Sequence, residues 1–358
     1  MRDIISQLET WSAHNEPIAV ATVVQTWGSS PRQVGAKMAV IASGMLCGSV
    51  SGGCVEAAVV ETAFKVLQHG QPKLLHFGVA EETAWDVGLA CGGTIEVFVK
   101  RLDTSLLEEV QRGLASEQTF AVVTVIQGAA ELLGRDLVIR GDGTLTGMPL
   151  GDGLDTLSQQ ATQTAIAAGQ SQRVMVTENP PLELFVDVFT PEPELVIIGG
   201  VHIAVALTNI AKVLGYRTTI IDPRTVFGNE HRFPHADRLM QTFPDSALAE
   251  IRLTPRHAVV SLSHDPKLDD PAVRIALHSP AFYVGALGSK ATQQRRREKL
   301  IAEGMLPDQL ARLHGPVGLD LGGRTPEELA LAIMAEIVAV RNARTKAIIE
   351  QSAVVAAH

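Results

Sequence analysis

The stretch LVIIGGVHIAVALTNIAKVLGYRTTIIDPR, residues 195–224, decides the fold of the C-terminal part of the chain. Residues 195–198 are apolar throughout, as in a strand that is buried on both faces, and a glycine turn leads into a helix-forming segment, 203–214. A second apolar strand follows at 218–221. Strand, helix and strand in this order predict a Rossmann-like, doubly wound parallel sheet.

The same alternation continues with strands at 258–262 and 282–284 and a helix at 326–340. In a doubly wound sheet, ligands bind at the carboxyl ends of the strands. Glycine and polar residues are concentrated at these predicted ends. The candidates for ligand contact there are Gly199, Gly200, His202, Asp222, Arg224, His264 and Lys290.

This crevice has an incomplete nucleotide-binding fingerprint. Asp222 follows Gly199 at about the 20-residue spacing of a ribose-binding carboxylate, but Val201 stands where the second fingerprint glycine is expected. A metal site is a further alternative, because zinc binds histidine and carboxylate ligands. Its candidates are His202, His264, Asp265 and Asp320, which lack the close pair spacing of a structural site.

The clearest linker is Pro-Glu-Pro-Glu at 191–194, because two prolines stiffen it and end any strand. It predicts a mixed α/β N-terminal domain at 1–190, a Rossmann-like domain at 191–345 and a tail at 346–358. Within the first domain, a core at about 10–105 is followed by an extension at 106–190, which we expect to join the core in a single mixed sheet. The sequence shows no internal repeat.

The N-terminal domain carries the loop GSVSGGCVE, residues 48–56, immediately before a predicted helix. Glycines allow a ligand to approach the backbone, and a helix start favours an anion or a thiolate, which makes Cys54 a candidate reactive thiol. Glu56 is either a helix-capping carboxylate or a general base. Two other glycine loops carry Arg32 and Cys91, whereas Cys47 alternates within a strand as a small core residue.

Composition excludes several classes of protein. A net charge of −9 argues against a nucleic-acid-binding surface, which needs a basic excess. No window reaches the ~18 apolar residues of a membrane span. Three cysteines without a C-x-x-C pair provide no disulfide framework, and no signal peptide is evident, so we expect a cytoplasmic protein with reduced thiols.

Several long motifs, occurring in one order, resemble the xanthine dehydrogenase accessory-factor family of the XdhC/CoxI type. They are GSSPRQVGAKMAV, GSVSGGCVE and CGGTIEVFV in the first domain, and IIGGVHIA, HRFPHAD, SLSHDPKLDD and YVGALGSK in the second. The resemblance covers roughly residues 16–100 and 194–342. It implies a chaperone that binds the molybdenum cofactor, protects it during sulfuration and inserts it into a molybdenum hydroxylase such as xanthine dehydrogenase.

The resemblance also implies cargo and partners. The cargo would be molybdopterin or its dinucleotide form, and the partners would be the hydroxylase apoenzyme and a cysteine desulfurase, with neither nucleic acid nor a membrane involved. A homodimer is compatible with this role. Such a protein is a maturation factor rather than an enzyme. Two alternatives stay open: an NAD(P)-dependent oxidoreductase that uses the Rossmann-like domain, and a scaffold that links hydroxylase and desulfurase.

The expected cargo site lies between the loops of the first domain and the strand ends of the second. Molybdenum and its dithiolene are soft, so Cys54 is the first candidate for metal contact and Cys91 the second. Loop donors suit the anionic oxygens of the cargo. The N-terminal candidates are Arg32, Ser49, Ser51, Gly52, Gly53, Cys54, Cys91 and Gly92.

Overall fold

A computed structural model describes residues 1–28, 32–53, 55–78, 93–147, 149–151 and 153–356, without the side chains of 348–356. The chain divides into two compact units, Met1–Thr190 and Pro191–His358. Each unit has its own sheets and its own apolar clusters, and each is described here by itself.

The N-terminal unit consists of two consecutive halves. The first half contains α1 (Ile5–Ala13), β1 (Ile18–Trp27), β2 (Lys37–Ile41), β3 (Leu46–Gly48), α2 (Glu56–His69), β4 (Lys73–Phe77) and β5 (Thr94–Arg101). The second half contains α3 (Thr104–Ala115), β6 (Phe120–Gln127), β7 (Asp136–Arg140), β8 (Leu145–Gly147), α4 (Leu154–Ala168), β9 (Gln172–Glu178) and β10 (Pro181–Phe189).

Each half forms its own antiparallel five-stranded sheet. The strand order is β3-β2-β1-β5-β4 in the first sheet and β8-β7-β6-β10-β9 in the second. The expectation of a single mixed sheet is therefore wrong, because the strands of the extension pair with one another. Both halves run helix, three strands, helix, two strands, and corresponding strands occupy corresponding places.

The repeat extends to the register. Thr22 of β1 lies opposite Lys37, and Thr124 of β6 lies opposite Asp136. The pairing of each central strand with the last strand of its half shifts register at an equivalent place, at Val24 in β1 and at Ile126 in β6. The N-terminal unit is thus a structural duplication that the sequence does not reveal.

The inner faces of the two sheets pack against each other. Val24 and Phe98 of the first sheet form a buried cluster with Ile126 and Phe185 of the second. The outer faces are covered by helices, α2 on the first sheet and α4 on the second. Because both faces of each central strand are buried, β1 and β6 are apolar along most of their length.

Two lysine–aspartate ion pairs cross between the sheets. Lys37 Nζ lies 2.9 Å from Asp187 Oδ2, and Lys100 pairs with Asp136. Lys37 and Asp136 occupy equivalent places in the two halves, as do Lys100 and Asp187. The first half therefore supplies both lysines and the second half both aspartates.

The C-terminal unit is a three-layer α/β structure. Its elements are β11 (Glu194–Ile198), α5 (His202–Val213), β12 (Arg217–Ile221), β13 (Arg238–Met240), α6 (Pro244–Ile251), β14 (His257–Ser261), α7 (Pro266–His278), β15 (Tyr283–Ala286), α8 (Lys290–Ala302), α9 (Pro307–Ala311), β16 (Leu313–His314) and α10 (Pro326–Ala356). The six strands pair in parallel in the order β13-β12-β11-β14-β15-β16. This order is that of the Rossmann fold, so the predicted fold class is confirmed.

Helices cover both faces of this sheet. Leu195 and Ile197 point to the side of α5 and α10, whereas Val196 and Ile198 point to the side of α6 and α7. All four side chains are fully buried, which explains the unbroken apolar run at the start of this unit. The order of the strands reverses between β11 and β14, and this is where doubly wound sheets bind ligands.

Candidate functional site

Three loops leave the first sheet of the N-terminal unit at the same end. Trp27 at the end of β1 pairs with Thr94 at the start of β5, and Phe77 at the end of β4 pairs with Ile95. Gly48 closes β3 beside the start of β2. The connections 28–36, 49–55 and 78–93 therefore share one end, which we call the loop end of the first sheet.

The carboxylate of Glu56 organises the second of these loops. Its oxygens accept hydrogen bonds from the hydroxyls of Ser49 and Ser51 and from the backbone N–H groups of Ser51, Gly52 and Gly53, at 2.5–2.9 Å. Burial disfavours the ionised form, but the hydrogen bonds from Ser51, Ser49 and Gly53 outweigh it and lower the pKa of Glu56 to about 2. The loop is thus folded around an ionised internal carboxylate.

The structure brings Arg32, Ser49, Ser51, Gly52 and Gly53 together. Arg32 Nε donates to the carbonyl oxygen of Ser49 at 3.2 Å, so two of the loops are in contact. Ser51 is buried, while both glycines are exposed. The other three N-terminal candidates, which are Cys54, Cys91 and Gly92, lie outside the described residues.

Cys47 differs from the candidate thiols. It lies in β3 and packs against the cluster formed by α1, α3 and the inner sheet faces. Burial raises the pKa of its thiol, so the protonated form is favoured. Cys47 therefore packs as a small apolar side chain.

A charged cluster at the loop end joins the two halves. Arg173 of β9 donates to Glu183 of its own half, and to Gln25 and Glu96 of the first half. Glu96 also pairs with His76, whose Nδ1 lies 3.1 Å from a carboxylate oxygen. The pattern of the sequence did not identify this cluster, because its members come from strands that are far apart in the chain.

In the C-terminal unit, other parts of the chain pack closely against the turn that follows β11. Gly200 has no room for a side chain, because a Cβ there would lie 2.4 Å from the carbonyl oxygen of Phe227. Gly199 has φ of +98° and packs against the backbone of Ser263. In a dinucleotide-binding fold, this turn is where the pyrophosphate approaches the backbone.

Asp222 is fully buried and binds groups of its own chain. It accepts hydrogen bonds from the Gly200 N–H at 2.8 Å and from the backbone N–H, Nε and Nη2 of Arg224. Burial opposes its ionisation, but the hydrogen bonds from Arg224 lower the pKa of Asp222 below its ordinary value. The Arg224 guanidinium lies over the ring of Phe227, 4.3 Å from its centroid. Phe227 was not among the predicted site residues.

The remaining candidates lie at the carboxyl ends of the parallel strands. His202 begins α5 after β11, His264 follows β14, and Lys290 begins α8 after β15. All three side chains are exposed, and His264 has φ of +61°, which is uncommon for a residue other than glycine. Asp265 caps α7 by accepting from the Lys267 N–H, as expected of a capping residue.

Two further features bear on function. Across the part of the chain that the structure describes, no three His, Cys, Asp or Glu side chains come close enough to hold a metal ion. In the same part of the chain, every helix is too short or too polar to cross a membrane.

Known proteins resemble both units. A family model described as the XdhC Rossmann domain matches residues 195–337, and one described as the XdhC and CoxI family matches residues 11–78. The chain is 27% identical over 347 residues to a probable xanthine dehydrogenase subunit of Bacillus subtilis (strain 168), across 95% of this chain and 98% of that protein.

Two more similarities span most of the chain. Identity is 28% over 326 residues to the molybdenum cofactor insertion chaperone PaoD of Escherichia coli (strain K12), across 90% of this chain and 83% of that protein. A crystal structure described as a xanthine dehydrogenase from Bacillus halodurans superposes with a TM-score of 0.76 at 25% identity, covering 95% of this chain and 96% of that one. The similarity therefore includes the second half of the N-terminal unit, which neither family model covers.

Proposed function

The chain belongs to the XdhC and CoxI family, and we propose that it binds the molybdenum cofactor as cargo and inserts it into a molybdenum hydroxylase. The observation that carries this proposal is the similarity to PaoD, a molybdenum cofactor insertion chaperone, over 90% of the chain. In the finer form of the proposal, the protein protects the cofactor while a cysteine desulfurase sulfurates it, and it works in the cytoplasm.

The loop end of the first sheet is the cargo site in this proposal. Three glycine-bearing connections leave the sheet there, and Arg32 joins two of them. A guanidinium suits the phosphate of a pterin cofactor, and a thiolate from Cys54, or secondly from Cys91, suits molybdenum because both partners are soft. Gly92 lies in the third connection beside Cys91.

In the Rossmann-like unit, the proposed cargo contacts are at the carboxyl ends of the strands. His202, His264 and Lys290 are exposed there, and exposed polar groups are free to reach a ligand. The other candidates contact residues of the chain itself, so in this proposal they support the conformation of the strand ends. They are Gly199, Gly200, Asp222 and Arg224.

An NAD(P)-dependent oxidoreductase is the second candidate, and the strand order of the C-terminal unit favours it. Two contacts count against it. Asp222 is engaged by Arg224 and Gly200, so ribose hydroxyls would have to displace those groups. The backbone of Phe227 covers Gly200 where a pyrophosphate would approach. We therefore expect no heat of binding when the protein is titrated with NADH or NADPH at millimolar concentration.

Cargo binding is tested by anaerobic incubation of the protein with molybdenum cofactor, followed by desalting and assay of molybdenum and pterin. We expect both to stay with the protein, and we expect Cys54→Ala to retain less molybdenum than wild type. Retention of neither component would overturn the proposal. Unchanged retention by Cys54→Ala would overturn only the role of that thiol.

A further inference from the structure

We propose that Glu56 is a positioning residue: its carboxylate is the internal anion around which the loop 49–53 takes its cargo-binding shape. This inference rests on the proposed function, because it concerns how the same loop binds cargo. It changes the role of Ser49, Ser51, Gly52 and Gly53. Their donors face Glu56, so they support the cargo site instead of contacting cargo oxygens directly.

The number of donors is the first argument. Five hydrogen bonds from four residues converge on one half-buried carboxylate, and they involve both hydroxyls and every backbone N–H from Ser51 to Gly53. Successive N–H groups that point at one spot form an anion-binding concavity. Here that spot is filled by the side chain of Glu56, the first residue of α2, so an external anion must displace Glu56 to reach these donors.

The second half of the N-terminal unit supplies an internal comparison. Asp155 lies the same number of residues after Gly147 as Glu56 lies after Gly48, and both glycines end equivalent strands. Asp155 accepts a hydrogen bond from the N–H of Leu150, five residues earlier, just as Glu56 does from Ser51. The shared bond belongs to the common fold, whereas the hydroxyl bonds from Ser49 and Ser51 to Glu56 are additions of the first half, because the equivalent residues, Met148 and Leu150, carry no hydroxyl.

Chemical rescue tests the role of an internal anion. Glu56→Ala removes the carboxylate and leaves a space into which formate fits, and Asp155→Ala is the matched control. We expect Glu56→Ala to retain about tenfold less molybdenum cofactor than wild type, the scale of a lost charge-assisted hydrogen-bond network. Sodium formate should restore most of that retention, and sodium chloride at the same ionic strength should not. Asp155→Ala should stay within about twofold of wild type.

The opposite result has a clear form. If the cargo itself binds these donors, Glu56→Ala will retain cofactor as well as wild type or better, and formate will lower that retention by competition. That outcome overturns the inference, as does a folded Glu56→Ala protein that formate does not rescue. Circular dichroism and the melting temperature report whether the variant folds.

Two further outcomes keep the test decisive. If Glu56→Ala does not fold, the nearly isosteric Glu56→Gln takes its place, and wild-type retention by that variant overturns the inference. If wild-type protein retains no cofactor, the proposed function fails, and the inference about Glu56 fails with it. Failure of the inference alone looks different, because wild type then retains cofactor and Glu56→Ala does too.

Discussion

The two halves of the N-terminal unit share strand order, register and bulge positions, yet they differ where the loops leave the sheets. In the first half, the connection between β4 and β5 takes up residues 78–93, whereas in the second half two residues, Asn179 and Pro180, join β9 to β10. The loop before the helix is rich in serine in the first half, and it contains Pro149 and Leu150 in the second.

This difference separates two kinds of residue. Features present in both halves, such as the glycine that closes the third strand and the carboxylate in the first turn of the helix, serve the fold. Features that occur in the first half alone are not needed for the fold, because the second half folds without them. They are therefore available for binding. Three predictions probe the comparison, beginning with the largest expected effect.

The ion pairs between the sheets should be costly to break. Lys37→Met leaves Asp187 uncompensated, and their side chains are only 6% and 10% exposed. We expect a loss of about 3 to 5 kcal/mol in the free energy of unfolding, measured in urea. Reversing the pair with Lys37→Asp and Asp187→Lys together should recover much of it. A loss below about 1 kcal/mol would mean that the pair behaves as a surface salt bridge.

Substitution of the glycines that end β3 and β8 should destabilise the protein, and to different degrees. Gly48 and Gly147 have φ of +75° and +113°, and an added Cβ would lie 2.2 Å and 2.9 Å from a carbonyl oxygen, respectively. We expect Gly48→Ala and Gly147→Ala each to cost about 1 to 3 kcal/mol, with Gly48→Ala the more severe.

Gly44→Ala is the control for this pair, because Gly44 has φ of +87° and open space around its Cβ position. It measures the backbone strain without the steric clash. Thermal unfolding of the three variants should therefore give the order Gly48, Gly147, Gly44 from most to least destabilised. Equal melting temperatures would show that the close approach at the strand ends does not matter.

The smallest expected effect is the change in stability at acidic pH. A carboxylate whose pKa is lower in the folded state stabilises the fold above its unfolded pKa, and this contribution is lost as the pH falls through the folded value. The pKa of Glu56 is about 2 when folded, against 4.5 ordinarily. The difference in urea midpoint between wild type and Glu56→Gln should thus be constant above about pH 5 and shrink as the pH falls toward 2. A difference that grows on acidification would contradict this assignment.

The sequence predicted the C-terminal unit well because its evidence is local. The strand at the start of the unit, its glycine turn and its helix are consecutive in the chain, and residues 195–198 carry an apolar signal on both faces. The duplication could not be predicted in this way. Equivalent places hold Lys37 and Asp136, or Lys100 and Asp187, so the charge complementarity that joins the halves requires different residues at these places.

The candidate site was predicted in part. The glycine and serine loop was recognised from its composition, but its central contact was not predicted. The sequence favoured Glu56 as a helix cap or a general base, whereas its hydrogen bonds back into the loop depend on loop conformation. The contact between Gly200 and the backbone of Phe227 could not be predicted either, because only the fold brings these two residues together. Short-range patterns locate such loops, while their internal hydrogen bonds follow from three-dimensional structure.

Cofactor transfer is the most direct test of the proposed function. The protein is loaded anaerobically with sulfurated molybdenum cofactor, desalted and mixed with cofactor-free xanthine dehydrogenase, and hydroxylase activity is followed over time. We expect activity to rise with the amount of loaded protein and to stay absent with unloaded protein. Equal activation by loaded and unloaded protein, or none by either, would contradict the role of an insertion chaperone.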